Sequence, residues 1–347
     1  MIQRQVRLCR WTVAVLLTVS SLVLAQDETA TEGATDAESA SVATPSYAGK
    51  MIVVIGAGGT DEYSKTFTEW SENWSLAAKQ AGYDFRLLGS DVESEDNDRD
   101  QLKQEIEQSI VGQSIVGQST PLWIVLIGHG TSDRNVTKFN LRGKDVSGED
   151  LKAWLAPCER PLILVNSFSS SGALINELSG DGRVIITATN SGAEMNYSRF
   201  GGQLSAAISD AEADLDHDGQ VSLLEAYLLA SSRVARFYES EARLATEHSL
   251  LEDNHDGKGT PAEFFTGIRV ETRAKDGSLP DGSVAHRYIL VPSKDAVRLT
   301  PEQTAERDRL ETEIDLLRQK KKQLSTDQYY EKLEELMLQM AQLYDAT

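Results

Sequence analysis

Apolar residues in this chain come in short, near-continuous runs. Met51-Ile-Val-Val-Ile55 is the first, and it stops at Gly56-Ala-Gly-Gly59. Asp84-Phe-Arg-Leu-Leu88, Leu122-Trp-Ile-Val-Leu-Ile127, Pro161-Leu-Ile-Leu-Val165 and Val184-Ile-Ile-Thr-Ala188 follow, and His286-Arg-Tyr-Ile-Leu-Val291 is the sixth. Runs this short, bounded by Gly, Pro or polar clusters, predict strands buried on both faces. Between them the period becomes helical. Phe67, Trp70, Trp74 and Ala78 share one face of a helix predicted over 64–81. Further helices are predicted from about Asp100, over 149–155 and over 173–178. Alternating strands and helices predict an α/β fold, a three-layer α/β/α sandwich around a mostly parallel six-stranded sheet over residues 49–293.

Beyond residue 293 the pattern changes. Thr300-Pro301-Glu302-Gln303 combines an N-cap, a first-turn proline and a capping-box glutamine, so a helix starts there. Leu310, Ile314, Leu317 and Leu324 give a heptad-like seam; Ser325-Thr-Asp327 interrupts it, and Leu333, Leu336, Met340 and Leu343 resume it. Residues 300–347 therefore predict a helical hairpin or a short coiled coil, a segment suited to self-association or to a protein or peptide partner. Lys320-Lys-Lys322 reads as a solvated helix face.

The N-terminus has a different character. Arg4, Arg7 and Arg10 precede an apolar run from Trp11 to Leu24, and Val23-Leu24-Ala25 has the spacing of a cleavage site. This is the pattern of a secretory signal peptide over 1–25, too short in its apolar part for a membrane-spanning helix. A secreted or periplasmic protein is the expectation. Residues 26–48 are small, polar and acidic without a basic residue, which predicts a disordered linker. Residues 90–99 read as an acidic loop. Ser109-Ile-Val-Gly-Gln113 repeats at once as Ser114-Ile-Val-Gly-Gln118, a duplication best tolerated at a loop or helix end.

Charge narrows the function. The net charge is -20, from 54 acidic and 34 basic residues, and loss of the signal arginines would take it to about -23. Such a surface repels phosphate backbones and excludes nucleic-acid binding, while it suits cations. Cys9 would leave with the signal, so Cys158 alone remains and no internal disulfide can form.

One segment answers the charge directly. Asp214-Leu-Asp216-His-Asp218-Gly219-Gln220-Val221-Ser222-Leu-Leu-Glu225 has the spacing of an EF-hand calcium loop. Asp214, Asp216 and Asp218 occupy positions 1, 3 and 5, and Gly219 at position 6 permits the sharp turn. Gln220 supplies a carbonyl at position 7, Ser222 acts at position 9, and Glu225 at position 12 can bind through both oxygens. Calcium takes six to eight hard oxygen ligands, and this spacing wraps them round one Ca2+ ion. Apolar helices are expected on both sides, from about Leu204 and from Leu223, so the whole calcium-loop region spans 203–263. A second loop, Glu252-Asp-Asn254-His-Asp256-Gly257-Lys258-Gly-Thr260-Pro-Ala-Glu263, keeps the oxygen-bearing positions through Glu252, Asn254, Asp256 and Glu263. Gly259 and Pro261 depart from the pattern, and an Asp/Asn/Gly turn that binds nothing is the alternative.

Two further motifs end neighbouring predicted strands, where open α/β sheets place their sites. One is Ile127-Gly128-His129-Gly130 and the other is Ser167-Phe168-Ser169-Ser170-Ser171-Gly172. Strand-His-Gly followed by strand-x-x-x-Ser-Gly resembles the caspase-like peptidases, above all the legumain-type branch, over roughly residues 50–293. That resemblance implies His129 as general base, Gly130 as part of an oxyanion hole and Ser169 at the nucleophile position. The family uses cysteine there. A thiol is partly ionised near neutral pH, whereas a serine needs an oriented histidine with a third group behind it. Asp133 is near in sequence; Cys158 precedes its strand and belongs at the opposite end of the sheet.

Three readings follow: a catalytically inactive caspase-like scaffold, a secreted hydrolase using a Ser169–His129 dyad, or a strand-end histidine with no such role. Glu194, Asn196 and Arg199, after the fifth strand, match where the family builds part of its substrate pocket; an ordinary polar loop is the alternative. The Gly56–Gly59 turn lacks the third glycine and the ribose-binding acid of a dinucleotide site. If calcium braces the helix after the fifth strand, Glu225→Gln is expected to lower thermal stability only when calcium is present.

Overall fold

In the computed structural model, residues 48–90, 97–111, 120–134, 136–271, 280–293 and 299–345 are described. The signal-like segment, nearly all of the acidic linker and the second copy of the five-residue repeat lie outside them. Five parallel strands form the sheet: β1 (Lys50–Ile55), β2 (Asp84–Leu88), β3 (Leu122–Ile127), β4 (Leu162–Ser167) and β5 (Arg183–Thr187). Two short strands complete it, β6 (Leu250–Glu252) antiparallel to β5 and β7 (Thr260–Pro261) antiparallel to β6. The order across the sheet is β7-β6-β5-β4-β3-β1-β2.

Seven strands replace the six expected, and one expected strand is elsewhere. Ile289–Val291 does not join this sheet but pairs with Val221–Ser222. The run is apolar enough to be a sheet strand, but Val221–Ser222 takes its backbone bonds instead. The edge positions go to β6 and β7, so the second loop is built on the sheet's own edge. Pro261 suits the edge strand, where a missing N–H breaks no interior ladder.

Each strand splits its side chains between two cores, as the alternation of a strand requires. Met51, Val53, Trp123, Val125, Ile163, Val165 and Ile186 face one layer of helices, α1 (Asp61–Ala81), α5 (Phe200–Ala207) and α6 (Leu223–Ser240). Ile52, Val54, Ile124, Leu126, Leu164 and Ile185 face α2 (Asp98–Val111), α3 (Gly148–Leu155) and α4 (Leu174–Leu178). The α/β/α sandwich is thus covered on both faces, which is why its strands read as continuous apolar runs. Helix α1 begins at Thr60, whose hydroxyl accepts the Tyr63 N–H at 3.3 Å, and stops at Gly82 with φ 79°.

After β3 the chain makes a small antiparallel sheet, Gly130–Asp133, Val136–Phe139 and Val146–Ser147, that no apolar pattern announced. Helices α7 (Pro301–Gln319) and α8 (Thr326–Asp345) follow the capping box expected at Thr300, which accepts the Gln303 N–H at 3.2 Å. Leu310, Ile314 and Leu317 of α7 are buried, and the Arg287 guanidinium reaches Glu311 at 2.9 Å and the Thr312 hydroxyl at 2.9 Å. Among the described residues no helix is long and apolar enough to cross a membrane.

Candidate calcium loop and strand-end site

The first place to hold sequence-selected residues is the connection from α5 to α6. A 3-10 turn, Ala211–Ala213, leads into it, and Ser222 N-caps α6 in a capping box closed by Glu225. The ladder with Ile289–Val291 anchors the far side, where the Leu223 N–H donates to the Tyr288 carbonyl at 2.8 Å. Position 8 of the loop, Val221, therefore pairs with an ordinary strand.

Inside the loop, Asp214, Asp216 and Asp218 each bring a carboxylate oxygen to within 4.8 Å of the others. The backbone curls around them. The Gly219 N–H donates to Asp214 Oδ2 at 3.1 Å, the Asp218 N–H to Asp216 Oδ1 at 3.2 Å and the Gln220 N–H to Asp218 Oδ1 at 2.8 Å. His217 at φ 62° and Gly219 at φ 80° supply the left-handed steps that this curl needs. Asp214 Oδ1 is buried without any partner. An unpaired buried carboxylate oxygen is costly, and three like charges at this spacing repel; a cation would offset both.

Glu225 is buried below the loop. Its Oε1 accepts the Leu215 N–H at 2.9 Å, and Oε2 accepts both the N–H and the hydroxyl of Ser222 at 2.8 Å. Three donors leave lone-pair capacity on a carboxylate that offers about four sites. The donor set consists of hard oxygens, which fit calcium or magnesium better than a softer transition metal. Asp214, Asp216, Asp218, the Gln220 carbonyl, Ser222 and Glu225 are the residues that would hold it. His286 was not legible as a neighbour, since it lies far along the chain, yet its Nε2 stands 4.0 Å from Asp216 Oδ2.

The second place is the end of β3 and β4. Ile127 and Ser167 are register partners, so His129 and Ser169 leave adjacent strand ends side by side. A Cβ on Gly130 would lie 2.2 Å from the Ser169 carbonyl oxygen, so only glycine allows these turns to touch. The Ser169 side chain is nearly buried, and its hydroxyl donates to the Asn196 carbonyl at 2.6 Å. The His129 ring packs among aromatics, with centroids at 4.7 Å from Tyr63, 5.1 Å from Phe67 and 6.1 Å from Tyr197. Burial lowers its pKa below the ordinary 6.5, against a smaller opposing effect from a hydrogen bond to the Gly58 backbone. Among the described residues no hydrogen bond joins Ser169 to His129 and no carboxylate backs the ring. Asp133 is exposed on the following hairpin.

The turn itself is strained. Ser170 has φ 66°, and the side-chain oxygens of Asn166, Ser167 and Ser170 are buried without partners. Sequence reasoning missed this, and missed the Tyr63 and Tyr197 rings that enclose His129. Glu194 holds its own loop together, accepting the Asn190 N–H at 2.9 Å and the His248 N–H at 3.1 Å while pairing with the His248 ring. Arg199 lies over Phe237 at 4.2 Å and Tyr197 at 5.8 Å. Asn196 offers its carbonyl to Ser169. Their contacts organise the segment after β5. A groove of about 780 Å³ lies between α6 and the β6–β7 edge, lined by Leu228, Ala235, Pro261 and Phe265 among others, and neither His129 nor Ser169 borders it.

No protein-family model matches the chain, and no curated protein matches it. Among solved structures, the chain is similar to the caspase-1 of Spodoptera frugiperda at 12% identity, with a TM-score of 0.37, over 60% of this chain and 88% of that one. A likeness at that score carries no argument, and the α/β/α architecture stands on the strand order and the two-faced core.

Proposed function

We propose that this chain is an exported calcium-binding protein whose EF-hand loop, Asp214–Glu225, is mounted on a caspase-like scaffold without peptidase activity. The observation that carries the calcium reading is the buried, unpartnered Asp214 Oδ1 beside two further aspartates within 4.8 Å. A bound cation supplies the charge compensation that the loop otherwise lacks, and it ties the α5–α6 connection to the Ile289–Val291 strand. The net charge of -20 favours cations over anionic partners. Export rests on the Arg4–Ala25 pattern alone. Self-association, or a protein or peptide partner, is assigned to 300–347 on the apolar seam of α7 and α8.

The scaffold reading is supported by the His-Gly and Ser-Gly motifs at neighbouring strand ends. Inactivity is supported by the hydrogen bond that commits the Ser169 hydroxyl to a backbone carbonyl, and by a histidine bonded to Gly58 and enclosed by aromatic rings. A serine nucleophile needs its proton taken by a base in hydrogen-bond reach. The second reading, a Ser169–His129 hydrolase, is favoured by the register that puts both residues at the same end of the sheet. A fluorophosphonate probe separates the two. The scaffold account predicts no labelling of Ser169; labelling that disappears in His129→Ala would establish the hydrolase.

A further inference from the structure

The loop after β6 repeats the first loop's internal wiring. In the first loop one oxygen of Asp214 holds the Gly219 N–H and the other is buried alone. In the second, Glu252 Oε1 accepts the Gly257 N–H at 3.3 Å and Oε2 is buried alone. The Asp256 N–H donates to Asn254 Oδ1 at 3.0 Å and the Lys258 N–H to Asp256 Oδ1 at 2.7 Å, as their counterparts at Asp218 and Gln220 do. His255 at φ 68° and Gly257 at φ 70° match His217 and Gly219.

Hydrogen bonds and turns of this kind also occur in loops that bind nothing. Glu252 decides the matter. It has no exposed surface and sits on β6, the strand just inside the edge strand β7. Ser179 from the α4 side steadies Oε1 at 2.9 Å. The remaining oxygen belongs to the same carboxylate that holds the Gly257 N–H, so it is fixed beside the loop, and no donor among the described residues reaches it. A fully buried acid with one orphaned oxygen needs a positive guest or a proton.

We infer that Glu252–Lys258 is a second cation site, taking a hard divalent ion through Glu252, Asn254, Asp256 and the Lys258 carbonyl. Its closing ligand differs from that of the first loop. After the first loop, Glu225 is fixed by the capping box of α6. After the second, the chain pairs as β7 and passes into a three-residue 3-10 turn, Ala262–Phe264, on which Glu263 is exposed. Glu263, the sequence's choice for position 12, lacks that support. The second site therefore keeps more water on its ion and binds more weakly than the first.

A structural link joins the two loops. Asp253, next to Glu252, accepts the N–H groups of Gly282, Val284 and Ala285 at 2.7–2.9 Å. Asp281 in return accepts those of Asp253 and Asn254 at 2.8 and 3.1 Å. The segment so held runs on to His286 and to the strand that pairs with Val221–Ser222.

This proposal shares with the function above only the choice of calcium as probe. Equilibrium dialysis of the full chain with radioactive calcium tests it, using Glu252→Gln and Asp256→Ala against Asp214→Asn. Two ions per wild-type chain and one in each variant are expected, the second-loop variants losing the weaker ion. Glu252→Gln keeps the acceptor for Gly257 and Ser179, and the exposed Asp256→Ala covers any folding defect at the buried position. One ion per chain, unchanged in both second-loop variants, would overturn the second site and leave the first intact. Full loss of one ion in the second-loop variants with no change in Asp214→Asn would sink the first loop and keep the second.

Discussion

Asp214 is held by one oxygen and orphaned at the other, and this asymmetry gives a cleaner test than the glutamate at position 12. Asp214→Asn keeps an oxygen for the Gly219 N–H and turns the orphaned atom into an amide NH2. In chelator the variant should melt no lower than wild type, because one of three mutually repelling carboxylates has been neutralised. In calcium it should lose the first loop's share of the calcium-dependent stabilisation, about 2.7 kcal/mol at a hundredfold excess over that site's Kd. Glu225→Gln behaves differently from the expectation that its loss appears only with calcium. Glu225 accepts three hydrogen bonds without an ion, and an amide nitrogen facing the Leu215 or Ser222 N–H breaks some of them. Its Tm should fall in chelator as well, by roughly 1–3 kcal/mol in stability. The aspartate spacing was legible because it repeats at fixed intervals within one short segment; the bonds of Glu225 were not, because they depend on how α6 starts.

His129 sets a pH dependence at the same scale. Its folded pKa lies below 6.5, so the unfolded chain binds the proton more readily. The histidine's contribution to stability is therefore present above pH 6.5 and is lost as pH falls through the folded value. His129→Phe should flatten that part of the Tm-against-pH curve, since phenylalanine keeps the contacts with Tyr63, Phe67 and Tyr197 and cannot charge. An acid limb unchanged in the variant would assign the dependence to other groups. The sequence marked His129 as a strand-end histidine; the rings around it come from α1 and from the segment after β5, and no local pattern joins them.

At the scale of elements, the strands with continuous apolar runs were all legible, because burial on both faces leaves no other composition. The sheet edge was not. Leu250–Glu252 and Thr260–Pro261 are too short, and contain an acid and a proline, while Ile289–Val291 carries a better apolar run and pairs with Val221–Ser222. Strand partners are chosen by non-local contacts that a single run cannot reveal. Helix α7 was legible from its cap and its seam. Its docking can be measured: Leu310 is fully buried, and Leu310→Ala should cost about 2–5 kcal/mol in urea unfolding through the cavity it leaves. A change below about 0.5 kcal/mol, the range of surface substitutions, would mean that α7 does not pack as described.

For the whole molecule, the acidic balance, the loop wiring and the hydrogen bond from Ser169 to the Asn196 carbonyl point in one direction. The sheet places a histidine and a serine at one end, but the chemistry that would join them is spent on backbone partners. The oxygens left without partners at Asp214 and Glu252 lie instead on the far side of β5 in the chain, in loops tied together through the 281–291 segment. The most direct measurement is titration calorimetry of calcium into the chain and into Asp214→Asn. The account predicts heat of binding in wild type and loss of the tighter site in the variant. Identical titrations, or no heat at millimolar calcium in the wild-type chain, would contradict it.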